Sequence, residues 1–534
     1  MSENHRELDV VIVGAGFAGL YMLHRVRELG LSARVLEAGG GVGGTWYWNR
    51  YPGARCDVES MQYSYQFSDE LQQEWEWTER YARQAEILRY LEHVAERFGL
   101  RPDIQFHTRV TEAVFDDASG RWCVRTEADE VFAAQFVIMA TGCLSAANTP
   151  AIAGADSFAG PTYHTGRWPH QGVDFTDMRV GVIGTGSSAV QSIPVMAQEA
   201  RQLIVFQRTA TYSVPAWNAP IDPAEQAEIK GNYGSFRAAN SQTLTAIGDR
   251  RPRTERLALD VTAEERQAEY ETRWKDGGLS FLGAFADLLF DPKANETAAE
   301  FVRDRIRATV NDPQTAERLC PDQVIGCKRL CVDTNYYETF NRSNVRLVDL
   351  RTTPITAITP EGIRTTEAQF EVDAIVYATG FDAMTGALTR IDIRGRDGGT
   401  LRDAWVAGPH TYLGLAVAGF PNLFTITGPG SPSVLTNMVV SIEQHVNWIA
   451  DCIDYLRRHG YRRIEATREA QTEWVAYVNA VADFTLFPTC NSWYLGANVP
   501  GKTRVFMPYL GFPPYAEKCD EVASSGYEGF VLSD

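Results

Sequence analysis

The sequence predicts an α/β fold with two Rossmann-like dinucleotide-binding domains, the second carrying a helical insertion, on three observations. The apolar run DVVIVG leads into Gly14-x-Gly16-x-x-Gly19 and a helical pattern. The same order recurs where RVGVIG leads into Gly184-x-Gly186-x-x-Ala189. Residues 216–321 then turn polar, charged and helix-forming, as in TAEERQAEYETRWKDGG, and read as helices added to the second unit.

In the first unit, a helical run from about Phe17 to Leu29 and a second strand, ARVLE, follow the turn. Gly14 makes the tight turn, Gly16 lets a pyrophosphate approach the backbone, and Gly19 lets helix and strand pack closely. The helix N-terminus, opened by Phe17, faces the phosphate charge. Glu37 ends the second strand at a spacing of 37 − 14 = 23. A carboxylate there accepts hydrogen bonds from an adenosine ribose and repels a 2′-phosphate.

The second unit runs through Gly184, Thr185, Gly186, Ser187, Ser188, Ala189 and Gln191 into SSAVQSIPVMAQEA. Alanine in the third position is a replacement that the fingerprint permits. Counting 184 + 23 = 207 reaches Gln207, followed by Arg208 and Thr209. No carboxylate repels a 2′-phosphate here, and a guanidinium is placed to bind one in bidentate fashion, so this unit is expected to prefer NADPH. The apolar strands VIMATG, residues 137–142, and IVYATG, residues 375–380, close the two halves with small-residue turns. The expected order is a dinucleotide domain at 1–142 and 380–534, and an NADPH domain at 150–215 and 322–379 interrupted by the insertion at 216–321.

A chain of 534 residues holds roughly three to four domains' worth of sequence. Its formal net charge of −18 argues against general affinity for nucleic acid or anionic membrane. The nine cysteines are scattered, odd in number and without C-x-x-C or zinc spacing, so no metal is expected, and free thiols in a reducing compartment are. MSENHRELDV contains no apolar signal region, and a cytoplasmic location is expected. From residue 404 to 442 there is no Asp, Glu, Lys or Arg. Repeated Gly and Pro break that stretch too often for a membrane helix. It reads equally as ordinary core or as backbone against a large apolar cofactor or substrate.

Between the two units lies FAGPTYHTGRWP, which fits F-x-G-x-x-x-H-x-x-x-W-P through Phe158, Gly160, His164, Trp168 and Pro169. It resembles the element that marks Baeyer–Villiger monooxygenases. Taken alone, His164 reads as a linker histidine satisfied by backbone partners. The resemblance extends from the first glycine turn to FMPYLGF, residues 506–512, with loops most similar to members acting on phenylacetone-like and steroid ketones. It implies FAD in the first domain, with GGGVGGTWYW and NRYPGARCDVES facing the flavin. Thr45, Trp46, Tyr47, Trp48, Asp57 and Tyr63 are then FAD contacts, joined by Val110 and Met438. Lys328 is brought to the NADPH 2′-phosphate, and Trp493 lies over the NADP ribose or nicotinamide. Ser433, Val434 and Leu435 line the substrate pocket.

The same resemblance implies that NADPH and O2 convert an apolar ketone to an ester or lactone through a C4a-peroxyflavin and a tetrahedral (Criegee) adduct. An anionic oxidant in a dry site requires a fixed cation, and Arg329, in GCKRLCVDTNYYETFNRSNVRLVDL, is its candidate. A guanidinium about 4 Å away contributes on the order of 4 kcal/mol at an effective dielectric of about 20. Asp57 is expected to hold it in place. The protein is expected to be a monomer or homodimer. Two alternatives stay open: a nitrogen- or sulfur-oxygenating flavin monooxygenase, and an NADPH-binding flavoprotein sensor without turnover.

Overall fold

The computed structural model describes residues 6–505 and 511–534. Residues 1–5 and 506–510 lie outside that range, and with them the start of the N-terminal reading and most of FMPYLGF.

Strand β1 (Arg6–Val13) carries Val10, Val11 and Ile12 fully buried and leads into helix α1 (Phe17–Glu28). A Cβ on Gly14, which has φ +105°, would stand 2.6 Å from the Ala140 carbonyl oxygen, and one on Gly19 would stand 1.8 Å from that of Gly14. Both glycines are therefore packing requirements of the turn itself. The chain continues through β2 (Ala33–Leu36), β3 (Ile104–Gln105), β4 (Val110–Asp116), β5 (Arg121–Thr126) and β6 (Val131–Met139). It then crosses to β7 (Thr162–His164), β8 (Arg179–Ile183), helix α2 (Ser187–Glu199) and β9 (Gln202–Gln207).

The insertion is helical, with α3 (Ala263–Asp276) and α4 (Pro292–Thr309) as its longest members. A capping box fixes the start of α3: Thr262 accepts from the Glu265 amide while the Glu265 carboxylate accepts from that of Thr262. The second unit resumes with β10 (Val345–Asp349) and β11 (Ala374–Tyr377). Strands β12 (Asp392–Arg394) and β13 (Leu423–Thr425) return to the first sheet, and helices α5 (Met438–His459) and α6 (Phe512–Ser524) follow.

The first sheet has the order β12-β4-β5-β6-β1-β2-β3, with β13 also paired to β6, and the second has the order β10-β9-β8-β11-β7. Each is parallel about its central glycine strand, with β1 between β6 and β2 and β8 between β11 and β9. Each glycine turn thus leaves the carboxyl end of a central strand, where open α/β sheets bind ligands.

The segment FAGPTYHTGRWP is more than a linker. Residues 162–164 form β7, the edge strand of the second sheet, with His164 opposite Tyr377. Trp168 is 3 % exposed and packs its ring 5.5 Å from that of Tyr163 and 6.1 Å from that of Phe175. Gly160 approaches Asp373 so closely that a Cβ would lie 2.4 Å from its carbonyl oxygen. Phe158 packs in the apolar cluster on the other side of the sheet, and Pro169 starts the turn to Gly172. The uncharged stretch at 404–442 is exposed at Ala404, Val406 and Ala407, then runs through mostly buried turns around β13 into the first turn of α5. Among the described residues, no helix is long and apolar enough to cross a membrane.

Candidate functional site

At the first glycine turn, Glu37 is buried and accepts from the amides of Ala15 (2.7 Å) and Gly39 (2.6 Å). Burial pushes its pKa upward, and the two amides offset part of that rise. Each carboxylate oxygen keeps acceptor capacity toward a ribose hydroxyl. Gly16 caps α1 without a side chain and faces the second glycine run, where a Cβ would meet Gly44 at 3.3 Å. The helix therefore presents its first amides to the space beside two glycine turns, a cradle suited to a pyrophosphate.

The aromatic run Thr45–Trp48 forms one helical turn beside it. Trp46 is buried and donates to the Tyr63 hydroxyl at 3.2 Å, while the Tyr47 hydroxyl accepts from the Gly40 amide at 2.9 Å. Thr45 is exposed, Val110 is buried at the start of β4, and Met438 opens α5. The ring of Tyr47 lies 4.6 Å from that of His170, which belongs to the second unit. Sequence reasoning missed His170, although it directly follows Pro169.

At the second turn, Gly186 has nothing within 4 Å of where a Cβ would stand, so the N-terminus of α2 opens onto free space. The Thr185 hydroxyl donates to the Thr209 carbonyl at 2.8 Å, Ser188 meets Thr165 at 3.2 Å, and Ser187 meets Cys331 at 3.3 Å. Ala189 is fully buried, where a helix packs on its strand. Gln207 is turned inward and donates to the Arg318 carbonyl at 2.6 Å, which leaves exposed Arg208 as the outward group. The pKa of Lys328 is lowered, first by burial and then by Arg208. Two cations held close enough to repel are what a doubly charged phosphate would relieve.

The Gln191 amide is engaged by protein. Its oxygen accepts from the Tyr51 hydroxyl (2.9 Å) and the Arg55 amide (3.3 Å), and its nitrogen donates to the Arg55 carbonyl (3.0 Å). This residue clamps the second unit onto the loop preceding Asp57. His164 is held similarly: Nδ1 accepts from the Gly166 amide at 2.9 Å. Nε2, the protonated nitrogen, faces the Asn148 carbonyl and the Thr379 hydroxyl, both at 3.3 Å. Burial lowers its pKa, so the imidazole is neutral. It sits between the chain leaving the first ATG turn and the threonine of the second.

Asp57 and Arg329 meet. Nε of Arg329 donates to one carboxylate oxygen at 2.5 Å and Nη2 to the other at 2.9 Å, while Nη1 donates to the Val434 carbonyl at 2.7 Å. Burial works to lower the pKa of Arg329, but Asp57 outweighs it and leaves the pKa raised. Arg329 lines a cavity of about 260 Å³, together with Leu435, Phe487 and Tyr494 on one side and Leu282, Phe285 and Leu289 of the insertion on the other. Of the three expected wall residues only Leu435 lines it. Val434 contributes its backbone to Arg329, and Ser433 is fully buried with its hydroxyl toward the Thr427 carbonyl (3.4 Å) and Met384 sulfur (3.9 Å). Tyr494, 2 % exposed and next to half-buried Trp493, was missed because nothing local distinguishes it from a core tyrosine.

The expectation of free thiols fails at one place. Cys327 and Cys490 form a disulfide, their Cα atoms 6.3 Å apart. A separation of 163 residues gave no spacing signal, and only the fold brings the two together. Among the described residues no group of His, Cys, Asp and Glu is arranged to hold a metal.

Two glycine turns on two sheets that are parallel about their glycine strands, with a cation pair at one and a fixed guanidinium over an apolar cavity, define an oxidoreductase with two dinucleotide sites. A family model described as pyridine nucleotide-disulphide oxidoreductase matches residues 11–266. A Baeyer–Villiger monooxygenase of Pseudooceanicola batsensis is 42 % identical, covering 98 % of this chain and 96 % of that protein. A phenazine N-monooxygenase of Lysobacter antibioticus is 42 % identical over 98 % of this chain and 97 % of its own. Among solved structures, an oxidized steroid monooxygenase bound to NADP is 56 % identical with a TM-score of 0.94, over 99 % of both chains. The chain belongs to the Baeyer–Villiger monooxygenase family.

Proposed function

We propose that the protein is an FAD-dependent monooxygenase that uses NADPH and O2 to convert apolar ketones to esters or lactones. The observation that carries this reading is Arg329, held by Asp57 and Val434 at the wall of an apolar cavity. Residues 1–142 and 380–534 are assigned to FAD, held at Gly14, Gly16, Gly19 and Glu37 with the Thr45–Trp48 turn and Tyr63. Residues 150–215 and 322–379, interrupted by the helices at 216–321, are assigned to NADPH, with Gly184, Gly186, Arg208 and Lys328 at its phosphates. Bound FAD supplies the two-electron chemistry by which NADPH and O2 are brought to react.

The chain's own residues then perform three tasks. Arg329 keeps its charge at working pH and points unused N–H donors toward the cavity, where negative charge develops on oxygen. Asp57 occupies Nε and Nη2, so the guanidinium plane is fixed before substrate arrives. The leucines and phenylalanines of the wall exclude water, which strengthens the interaction of Arg329 with an oxyanion. Their apolar character sets the substrate class, and the steroid monooxygenase similarity extends it to bulky ketones. The enzyme is assigned to the cytoplasm as a monomer or homodimer.

The test is to supply ketones to the purified yellow protein with NADPH under 18O2. Ketone-stimulated NADPH oxidation with one labelled oxygen in the ester product is expected. NADPH oxidation that yields only hydrogen peroxide with every ketone overturns the reading. The phenazine N-monooxygenase similarity supports a second one, oxygenation of an aromatic nitrogen in the same cavity. N-oxide formation from nitrogen heterocycles without ester formation from ketones would establish it instead.

A further inference from the structure

The disulfide joins two segments that the proposed function leaves unconnected. Cys327 lies two residues before Arg329, and Cys490 lies three residues before Trp493. The loop beginning at Cys490 is held at its other end by polar contacts to the crossover between the units. Asn498 donates to the Phe381 carbonyl at 2.6 Å and accepts from Asn148 at 2.8 Å. Lys502 donates to Asp382 (2.6 Å) and to the Ala383 carbonyl (2.8 Å). Between these anchors, Tyr494 packs into the wall of the Arg329 cavity. The loop is thus fastened at both ends, and the fastening at Cys490 is a bond that thiols can open.

We infer that Cys327–Cys490 is a thiol–disulfide exchange site, open to a dithiol reductant, whose state sets how firmly the loop of Trp493 and Tyr494 closes over the site. Cys327 is fully buried, whereas Cys490 is partly exposed. Access selects the sulfur that is attacked. A reductant thiolate bonds to the Cys490 sulfur as the Cys327–Cys490 bond breaks, and Cys327 leaves as a thiolate and takes a proton. The second thiol of the reductant then displaces Cys490. The reductant becomes a cyclic disulfide and the protein gains two thiols, a two-electron exchange. Among the described residues Cys327–Cys490 is the one disulfide, and six of the other seven cysteines are buried. Disulfides in reducing compartments are typically transient or redox-sensing, which fits one placed beside a nucleotide site.

The effect on nucleotide retention rests on the placement of Trp493 at the NADP site, but the exchange chemistry does not. The FAD-loaded full chain is incubated with oxidised glutathione or with dithiothreitol, alkylated, and mapped by non-reducing peptide mass spectrometry. Expected are a Cys327–Cys490 peptide in the oxidised form and two new alkylated thiols, at those positions alone, in the reduced form. Reduction is also expected to weaken NADP+ binding by about tenfold and to speed proteolysis within residues 490–505. The C327S/C490S double variant should match the reduced wild type and ignore both reagents. Two freely alkylated cysteines after oxidation, or equal NADP+ affinity and proteolysis in both states, overturns the inference. An intact redox difference without ketone oxygenation in either state would instead sink the proposed function and leave the exchange site standing.

Discussion

Arg329 and Asp57 stand 272 residues apart in sequence and share a bidentate pairing, at 2.5 and 2.9 Å. Asp57 follows the aromatic turn beside the first glycine site, and Arg329 lies between the last helix of the insertion and β10. Gln191 reinforces the meeting, since its amide grips Arg55, two residues before Asp57.

Arg329→Ala is expected to lower ketone oxygenation at least ~10²-fold while NADPH still reduces the flavin at a comparable rate. Stopped-flow bleaching of the flavin, set against ester formation, separates the two steps. Arg329→Lys keeps a charge but cannot span both Asp57 oxygens, and should recover only part of the loss. Ester formation unchanged in Arg329→Ala would remove the residue from the chemistry.

Arg208 and Lys328 predict a coenzyme preference. Each charge-assisted contact to a 2′-phosphate contributes about 1.5–3 kcal/mol, so Arg208→Ala should raise the KM for NADPH on the order of 10- to 100-fold. The KM for NADH, which lacks that phosphate, should hardly move. Equal changes for the two coenzymes would mean that Arg208 supports the fold and does not read the phosphate.

His164 joins the chain leaving the first ATG turn to the threonine of the second, through Asn148 and Thr379. His164→Ala should therefore impair NADPH-coupled turnover and leave FAD bound, measured as kcat beside the flavin-to-protein absorbance ratio. Complete loss of flavin would place His164 in the first unit's stability instead.

The parts legible in the sequence are those whose chemistry is local. Gly14, Gly19 and Glu37 declare their turn because each acts within one strand–helix–strand unit, and Gln207 and exposed Arg208 are found at the end of the second unit's strand by the same spacing. The edge strand β7 was hidden because three residues between Gly and Pro carry no period. Cys490, Tyr494 and the cross-domain role of Gln191 were hidden for a different reason. Each acquires its partner through packing between segments separated by more than a hundred residues, and none sits in a pattern that names the partner.

Glu443 predicts a pH dependence. It lies buried on α5, where one carboxylate oxygen accepts from the amides of Gln66 (2.8 Å) and Phe67 (3.0 Å). Burial raises its pKa from 4.5 to about 7, against the pull of those amides and of Arg237. Between these two values the folded protein binds more protons than the unfolded chain, so this group's contribution to stability falls as pH rises through that window. Nearby His445, its pKa lowered to about 3 by burial, has the opposite slope below its ordinary value. Comparing wild type with Glu443→Gln cancels His445, which both proteins share. The glutamine keeps an oxygen to accept from the two amides and removes the titration. The variant's Tm should match wild type near pH 5 and exceed it at pH 8.5, a gain on the order of 1–3 kcal/mol. Parallel Tm curves across that range would show that Glu443 does not carry a raised pKa in the folded protein.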